Sequence, residues 1–261
     1  MYDFYDLKPR NEPGQVLPTD AINYNGHWLD SEIDGFRTLT VSGRESLSRQ
    51  LNSPDSSGDG AIYLSSKLES RKIEVEFELN TKTVTEFNLA TTKLAAILYE
   101  PNVKILFNDD KDFHYVGSVT SYELDKPLLT TKGKIEIECP DPFKYSEVRT
   151  LQLQSNVATV VDKDIIYPQL PKTIEFVPSG ANISSFWVSC MSKKITLNET
   201  VAAGVKILLD FENLQVKVND VSRLMSLDLN SNFSDFRIIN GAVINFSNPG
   251  SYKIKYEVKR L

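Results

Sequence analysis

The sequence predicts a mainly β protein in two domains, an α+β domain followed by an all-β sandwich. Three observations predict it. Apolar and polar residues alternate through most of the chain, the period-two signature of half-buried antiparallel strands. One segment, Val84 to Tyr99, switches to helical spacing. Between the halves stands Pro140-Asp141-Pro142, a stiff extended corner that cannot continue a central strand. The expected domains are therefore 1–140 and 141–261.

The elements follow in chain order. Asn52 to Ser66 is rich in serine, aspartate and glycine, which predicts a polar hairpin tip with little apolar area to pack on its own domain. Arg71 to Asn80 is the cleanest strand. Ile73, Val75, Phe77 and Leu79 share one face, and Lys72, Glu74, Glu76 and Glu78 the other. In the helical segment, Phe87, Ala90, Leu94, Ile97 and Leu98 form a single stripe. Thr83 and Glu86 have the spacing of a reciprocal capping box, and Pro101 ends the helix. Strands are expected at Val103 to Phe107, Tyr115 to Tyr122 and Lys134 to Cys139. Asn108-Asp109-Asp110-Lys111-Asp112 reads as a solvated turn between the first two. After the corner, strands at Thr173 to Val177, Leu214 to Val218 and Tyr252 to Val258 alternate with turns at Pro178-Ser179-Gly180, Asn219-Asp220, Asn230-Ser231-Asn232 and Asn248-Pro249-Gly250. Such spacing favours a β-sandwich.

Composition narrows the function. A chain of 261 residues buries roughly three quarters of its unfolded surface and needs no disulfide or metal to hold a core. The formal charge is -6, which argues against a protein built to grip nucleic acid phosphates. It is unevenly spread: residues 1–140 hold 15 basic and 23 acidic side chains, and residues 141–261 hold 14 and 12. Cys139 and Cys190 form no CxxC pair, so they read as small buried hydrophobes in a reducing compartment. No run approaches 18 apolar residues, so no membrane insertion is expected. The start MYDFYDLKPR is unlike a secretory signal, and folding in cytosol is expected. Its aromatics Tyr2, Phe4 and Tyr5 require a cover.

Most apparent chemistry dissolves on inspection. Asp55-Ser56-Ser57-Gly58-Asp59-Gly60 imitates the start of a calcium loop, but the twelfth position, where a bidentate carboxylate must close the shell, is Ser66. His27 and His114, the two histidines, have no triad or metal spacing to other groups. There is no GxSxG, HExxH, phosphate loop or dinucleotide fingerprint. The expectation is a non-enzyme without cofactor or metal. Aromatics such as Tyr2, Phe4, Tyr5, Trp28 and Trp187 have the chemistry to stack on sugars or dock a partner, and two rival readings follow: a carbohydrate-binding protein with the second sandwich as its sugar site, and a hydrolase using an unrecognised carboxylate pair.

Several segments together resemble a known family. They are MYDFYDL at the start, the run Asn23 to Leu29, the block Gly35 to Glu45, the strand start Arg71 to Val75, and Cys139 to Tyr145. Ile207 to Phe211 and Ser234 to Phe236 match more loosely. The resemblance is to the distal tail (Dit) proteins of long-tailed, non-contractile bacteriophages and related prophages of Gram-positive hosts. It implies an amino-terminal β-sandwich-like tail-hub domain with one packed helix and a protruding hairpin, and a peripheral carboxy-terminal galectin-like sandwich. The chain is too short for the carbohydrate-binding module that many larger members insert in a loop. The implied assembly is a homo-hexameric ring at the virion tail tip, put together in the host cytoplasm. Its implied partners are the tail tube protein, a tail-tip hub or tail-associated protein, and a receptor-binding protein, with DNA only in transit. Within that frame Asp55, Asp59, Gly60 and Tyr63 are expected at an inter-protomer hairpin contact. Glu74, Glu76 and Glu78 are expected to line the channel, where an acidic wall leaves DNA free to slide.

Overall fold

The computed structural model describes residues 17–126, 129–231 and 233–261. The aromatic cluster Tyr2, Phe4 and Tyr5 lies outside them. The chain divides into two compact units, the first ending at Lys144 and joined by Leu261, the second spanning Tyr145–Arg260.

The first unit opens with the hairpin β1 (Ile22–Tyr24) and β2 (His27–Trp28), turned by Asn25 and Gly26 at positive φ. A one-turn helix α1 (Leu29–Glu32) follows, which the sequence pattern did not predict. Its Asp30 accepts both the amide and the hydroxyl of Thr38, at 2.7 Å each. Then come β3 (Phe36–Ser42), β4 (Arg49–Asn52), β5 (Ser65–Leu68) and β6 (Arg71–Asn80). Helix α2 (Val84–Leu98) precedes β7 (Val103–Phe107), β8 (Asp110–Leu124) and β9 (Thr130–Cys139). The sheet order is β2-β1-β7-β8-β9-β6-β3, and among the described residues β4 and β5 pair only with each other. All these pairings are antiparallel, as the polar-apolar alternation requires.

Burial on β6 alternates along its whole length, the inward side chains being Arg71, Ile73, Val75, Phe77 and Leu79. Helix α2 lays Ala90, Leu94 and Leu98 on this core, with Phe87 and Ile97 partly buried beside them. Its amino terminus is capped differently from a reciprocal box. Thr83 Oγ1 accepts the Glu86 amide, but Glu86 reaches the amide of Lys82 at 2.8 Å rather than that of Thr83. One half of the box forms in the expected frame, and the other lands one residue before it.

From Lys144 onward come β10 (Lys144–Ser146), β11 (Arg149–Thr159), β12 (Thr173–Pro178), β13 (Phe186–Cys190) and β14 (Lys193–Leu197). After these come β15 (Ile207–Asp210), β16 (Gln215–Val218), β17 (Val221–Ser222), β18 (Val243–Tyr256) and β19 (Lys259–Arg260). The order is β14-β13-β18-β12-β15-β16-β17, with β11 also on β18. Strand β18 changes partners midway: Ile244 to Phe246 pair with β13, and Gly250 to Lys255 with β12. This handover makes one strand serve two sheet halves around a stack of Phe186, Phe176, Phe246 and Tyr252, whose successive centroids lie 4.9, 5.3 and 4.9 Å apart.

Two expectations fail here. Asn248-Pro249-Gly250 is no turn but part of β18. The register of β11 slips opposite it, between Ser155 and Val157, and a bulge is where a strand tolerates proline. A Cβ on Gly250 would stand 2.4 Å from the Val177 carbonyl oxygen, so the bend needs glycine. Likewise Leu214 starts no strand. Its φ of 51° places it in the left-handed region, in the turn before β16.

Candidate functional site: a projecting hairpin and a charged sheet face

The β4–β5 hairpin runs in register from Arg49 opposite Leu68 to Asn52 opposite Ser65. Beyond the strands the pairing continues through Leu64 to Asn52 and Ile62 to Pro54, both 2.9 Å, then the bridge between Asp55 and Ala61. The amide of Ser56 closes the tip on the Gly60 carbonyl at 3.0 Å. Gly60 has φ +87° with open space around it, so backbone conformation alone demands glycine there. Asp55 and Asp59 are exposed at this tip. Among the described residues no three His, Cys, Asp or Glu side chains converge as metal ligands do. Tyr63 donates its hydroxyl to Ser66 Oγ at 3.0 Å and stays 64% exposed.

The hairpin is less polar than its serines and aspartates suggest. Leu51, Ile62 and Leu64 join Tyr63 in being more than half exposed. The apolar content sits on the arms, just outside the polar tip.

Two arginines hold the base. Arg71 is buried at 4% exposure. Its Nη1 donates to the carbonyls of Gly43, Arg44 and Ser46 at 3.0, 2.5 and 2.8 Å, and its Nε to that of Pro142 at 2.8 Å. Gly43 turns the chain at φ +90°, where any Cβ would strike the Lys72 carbonyl at 2.1 Å. Arg44 lies 4.5 Å over the Phe107 ring and grips Asp109 with both terminal nitrogens, at 2.6 and 2.5 Å. That hydrogen bonding holds the Asp109 carboxyl below its ordinary range and raises the Arg44 guanidinium. Asp109 is therefore no solvated turn residue. Neighbouring Asp110 is likewise held, 2.5 Å from Lys144 Nζ. The signal in the sequence is parity: Arg71 shares the side of Ile73 and Val75, which puts a charge on the core side of β6.

Glu74, Glu76 and Glu78 do point away from the core. The tertiary structure alters their surroundings, because β9 sets Glu136, Lys134 and Lys132 opposite them in turn. Lys134 Nζ reaches Glu74 at 2.7 Å and Glu136 at 3.1 Å. These bonds raise the Lys134 ammonium and lower the Glu136 carboxyl. Thr40 adds a 3.3 Å bond to Glu76. The face is charged throughout, with lysines interleaved among its acids.

Of the aromatic platforms, Trp28 is half-buried with Lys111 Nζ 5.7 Å from its ring. Trp187 is half-buried beneath Lys194, at 4.8 Å. His27 bonds Glu32 at 2.9 Å on the surface, and His114 is buried. Burial drives both thiols upward, Cys139 to about 12 and Cys190 to about 11.

Comparison with known proteins places this architecture. Residues 34–139 match the phage tail protein RIFT-related domain, and residues 168–259 the carboxy-terminal domain of the siphovirus-type tail component. No curated protein matches. The fold is similar to the crystal structure of SPP1 Dit, described as a paradigm of the hub adsorption apparatus in phages infecting Gram-positive bacteria. That match has 16% identity and a TM-score of 0.75, covering 91% of this chain and 98% of that one. Weaker likeness extends to the phage p2 baseplate in its activated conformation with strontium and with calcium. Identities there are 12% and 11% and TM-scores 0.43 and 0.42, over 85% of this chain and 90% of those. Fold and domain matches together define a structural component of a phage tail. The chain belongs to the siphovirus distal tail proteins.

Proposed function

We propose that six copies of this chain form a ring at the distal end of a phage tail, with a central channel through which DNA passes. The ring joins the tail tube protein on one side to a tail-tip hub or tail-associated protein on the other, and it offers a footing for a receptor-binding protein. The first unit builds the ring, and the second sits at its periphery. The role is structural, without catalysis or cofactor, and assembly takes place in the host cytoplasm.

The observation that carries this reading is the hairpin. A two-stranded ribbon is marginal by itself in water, yet among the described residues this one pairs only with itself and exposes Leu51, Ile62, Tyr63 and Leu64. Covering them on a neighbouring protomer stabilises both parties, with Asp55, Asp59, Gly60 and Tyr63 at the contact. Contacts between unlike patches on identical chains generate rings when the rotation closes. Glu74, Glu76 and Glu78 supply the channel face, where Lys134, already held by Glu74 and Glu136, offers little to passing phosphates.

Negative-stain microscopy and light scattering of the full chain test the proposal. Six-fold rings are expected from the parent. Deleting Ser53 to Leu64, which removes the tip and the exposed Ile62, Tyr63 and Leu64, should leave a folded monomer of nearly unchanged melting temperature. Rings that persist after the deletion refute the hairpin contact.

A further inference from the structure

Large exposed apolar side chains in the first unit are concentrated. Among its described residues, eight of ten lie on two features. Five are on the hairpin and its base, and the others are Val84, Leu89 and Tyr99 on α2 and its carboxy-terminal cap.

Helix α2 carries a second stripe beside the one it buries. Thr85, Leu89, Thr92, Ala96 and Tyr99 are all exposed and recur at spacings of four, three, four and three. That is the seam along which another element packs on a helix. No residue of the stripe is charged, in a chain of which 25% is charged. The helix's own charges are engaged elsewhere: Glu86 caps the first turn, and Lys93 reaches the Glu32 carbonyl at 2.6 Å. By contrast, the outward face of β6 and β9 carries glutamates and lysines along most of its length. The small threonines and alanine of the seam let a partner backbone approach closely.

We infer that the outward seam of α2 is the dock for the hairpin of a second copy of this chain. The inference rests on the hairpin reading above and names its acceptor. The hairpin's Leu51, Ile62, Tyr63 and Leu64, each exposed by 54–64%, leave on the order of 400 Å² of apolar surface in water, a patch size that marks an interaction site. The α2 seam presents a comparable area. Joined, the two remove about 800 Å² from solvent, a major part of the 1,200–2,000 Å² that a stable interface buries. The apolar arms and the seam carry no charge on these side chains, and the carboxylates Asp55 and Asp59 sit at the tip beyond the arms. Because donor and acceptor are different patches of one chain, the contact propagates from copy to copy instead of ending at a dimer.

The test places the photo-crosslinker benzoylphenylalanine at Tyr63 of the full chain, with isotope-labelled and unlabelled protein mixed before irradiation. Mass spectrometry should find mixed-label cross-links to residues 85–99. Leu89→Glu with Ala96→Glu should lower their yield at least about tenfold, the effect of some 1.4 kcal/mol lost from the contact, without moving the melting temperature. Adding Ile62→Lys and Leu64→Lys to the same chain should restore it. Mixed-label cross-links that fall elsewhere overturn the α2 dock and leave the hairpin contact standing. Absence of any mixed-label cross-link overturns both.

Discussion

Replacing Arg71 by methionine should loosen the base of the hairpin and destabilise the first unit by about 3 kcal/mol. The guanidinium makes four hydrogen bonds to main-chain carbonyls, three on the segment Gly43 to Ser46 and one at Pro142. Nη1 offers two hydrogens to three of these carbonyls, so with about 1.5 kcal/mol or more for each charged hydrogen bond the three N–H donors involved give a gross loss of roughly 4.5 kcal/mol. Two effects reduce it. The carbonyl-bearing residues are partly exposed, so water replaces some donors, and methionine refills the space of the aliphatic stem. At 2–4 °C per kcal/mol for a unit of this size, the melting temperature should fall by roughly 6–12 °C. Arg71→Lys should recover only part of that, because one ammonium cannot reproduce a planar fork aimed at two segments. Scanning calorimetry reads the stability. Trypsin reads the launch of the hairpin, since Arg49 and Lys67 lie on its two strands and should be cut faster in the variant. A methionine variant that melts within a degree of the parent and resists trypsin equally refutes the argument.

Asp109→Asn should cost on the order of 1 kcal/mol at neutral pH, a modest value because the carboxylate is 29% exposed. Since the folded carboxyl titrates low, the parent holds this advantage above the ordinary carboxylate pKa of about 4 and loses it as pH falls through the folded value. The gap in melting temperature between parent and variant should be full at pH 6 and narrow progressively as the pH falls below about 4, and a pH-independent gap would exclude the ion pair as its cause. Gly250→Ala should destabilise the second unit by roughly 2 kcal/mol or more through its clash with Val177, and urea midpoints equal to the parent's would show that β18 can shift. Cys139 and Cys190, buried with thiols near 12 and 11, should resist alkylation at pH 8 until the protein unfolds. Rapid labelling of either would contradict the packing. The triple variant Glu74→Lys, Glu76→Lys, Glu78→Lys should still form rings and bind duplex DNA with a steep salt dependence. Normal rings indifferent to DNA would remove these residues from the channel.

The long periodic elements, carried by neighbours along the chain, were legible in the sequence, whereas the single turn of α1 is too short to show a period. Strand β6 and strand β7 occupy the residues their alternation marked, and α2 spans the stripe and stops before Pro101. Burial parity and helical period are local properties, and reading them needs no partner. Even the cap was half legible, the missing half being which amide Glu86 would find.

What only the tertiary structure decided is where distant residues meet. Arg71 clasps carbonyls 25 to 28 positions before it and one 71 positions after it. Its side of the strand could be read, but not its acceptors. Glu74 to Glu78 read as an unbroken acidic strip because the lysines between them arrive from β9, some sixty residues on, in a register set by pairing. Asn248-Pro249-Gly250 has turn composition, yet two flanking strands and a bulge draw it into β18. The apolar arms of the hairpin were visible as letters, but exposure depends on what fails to cover them. Alternation and propensity act over a few residues, whereas register, ion pairing and exposure are fixed by which surfaces the folded backbone brings within reach.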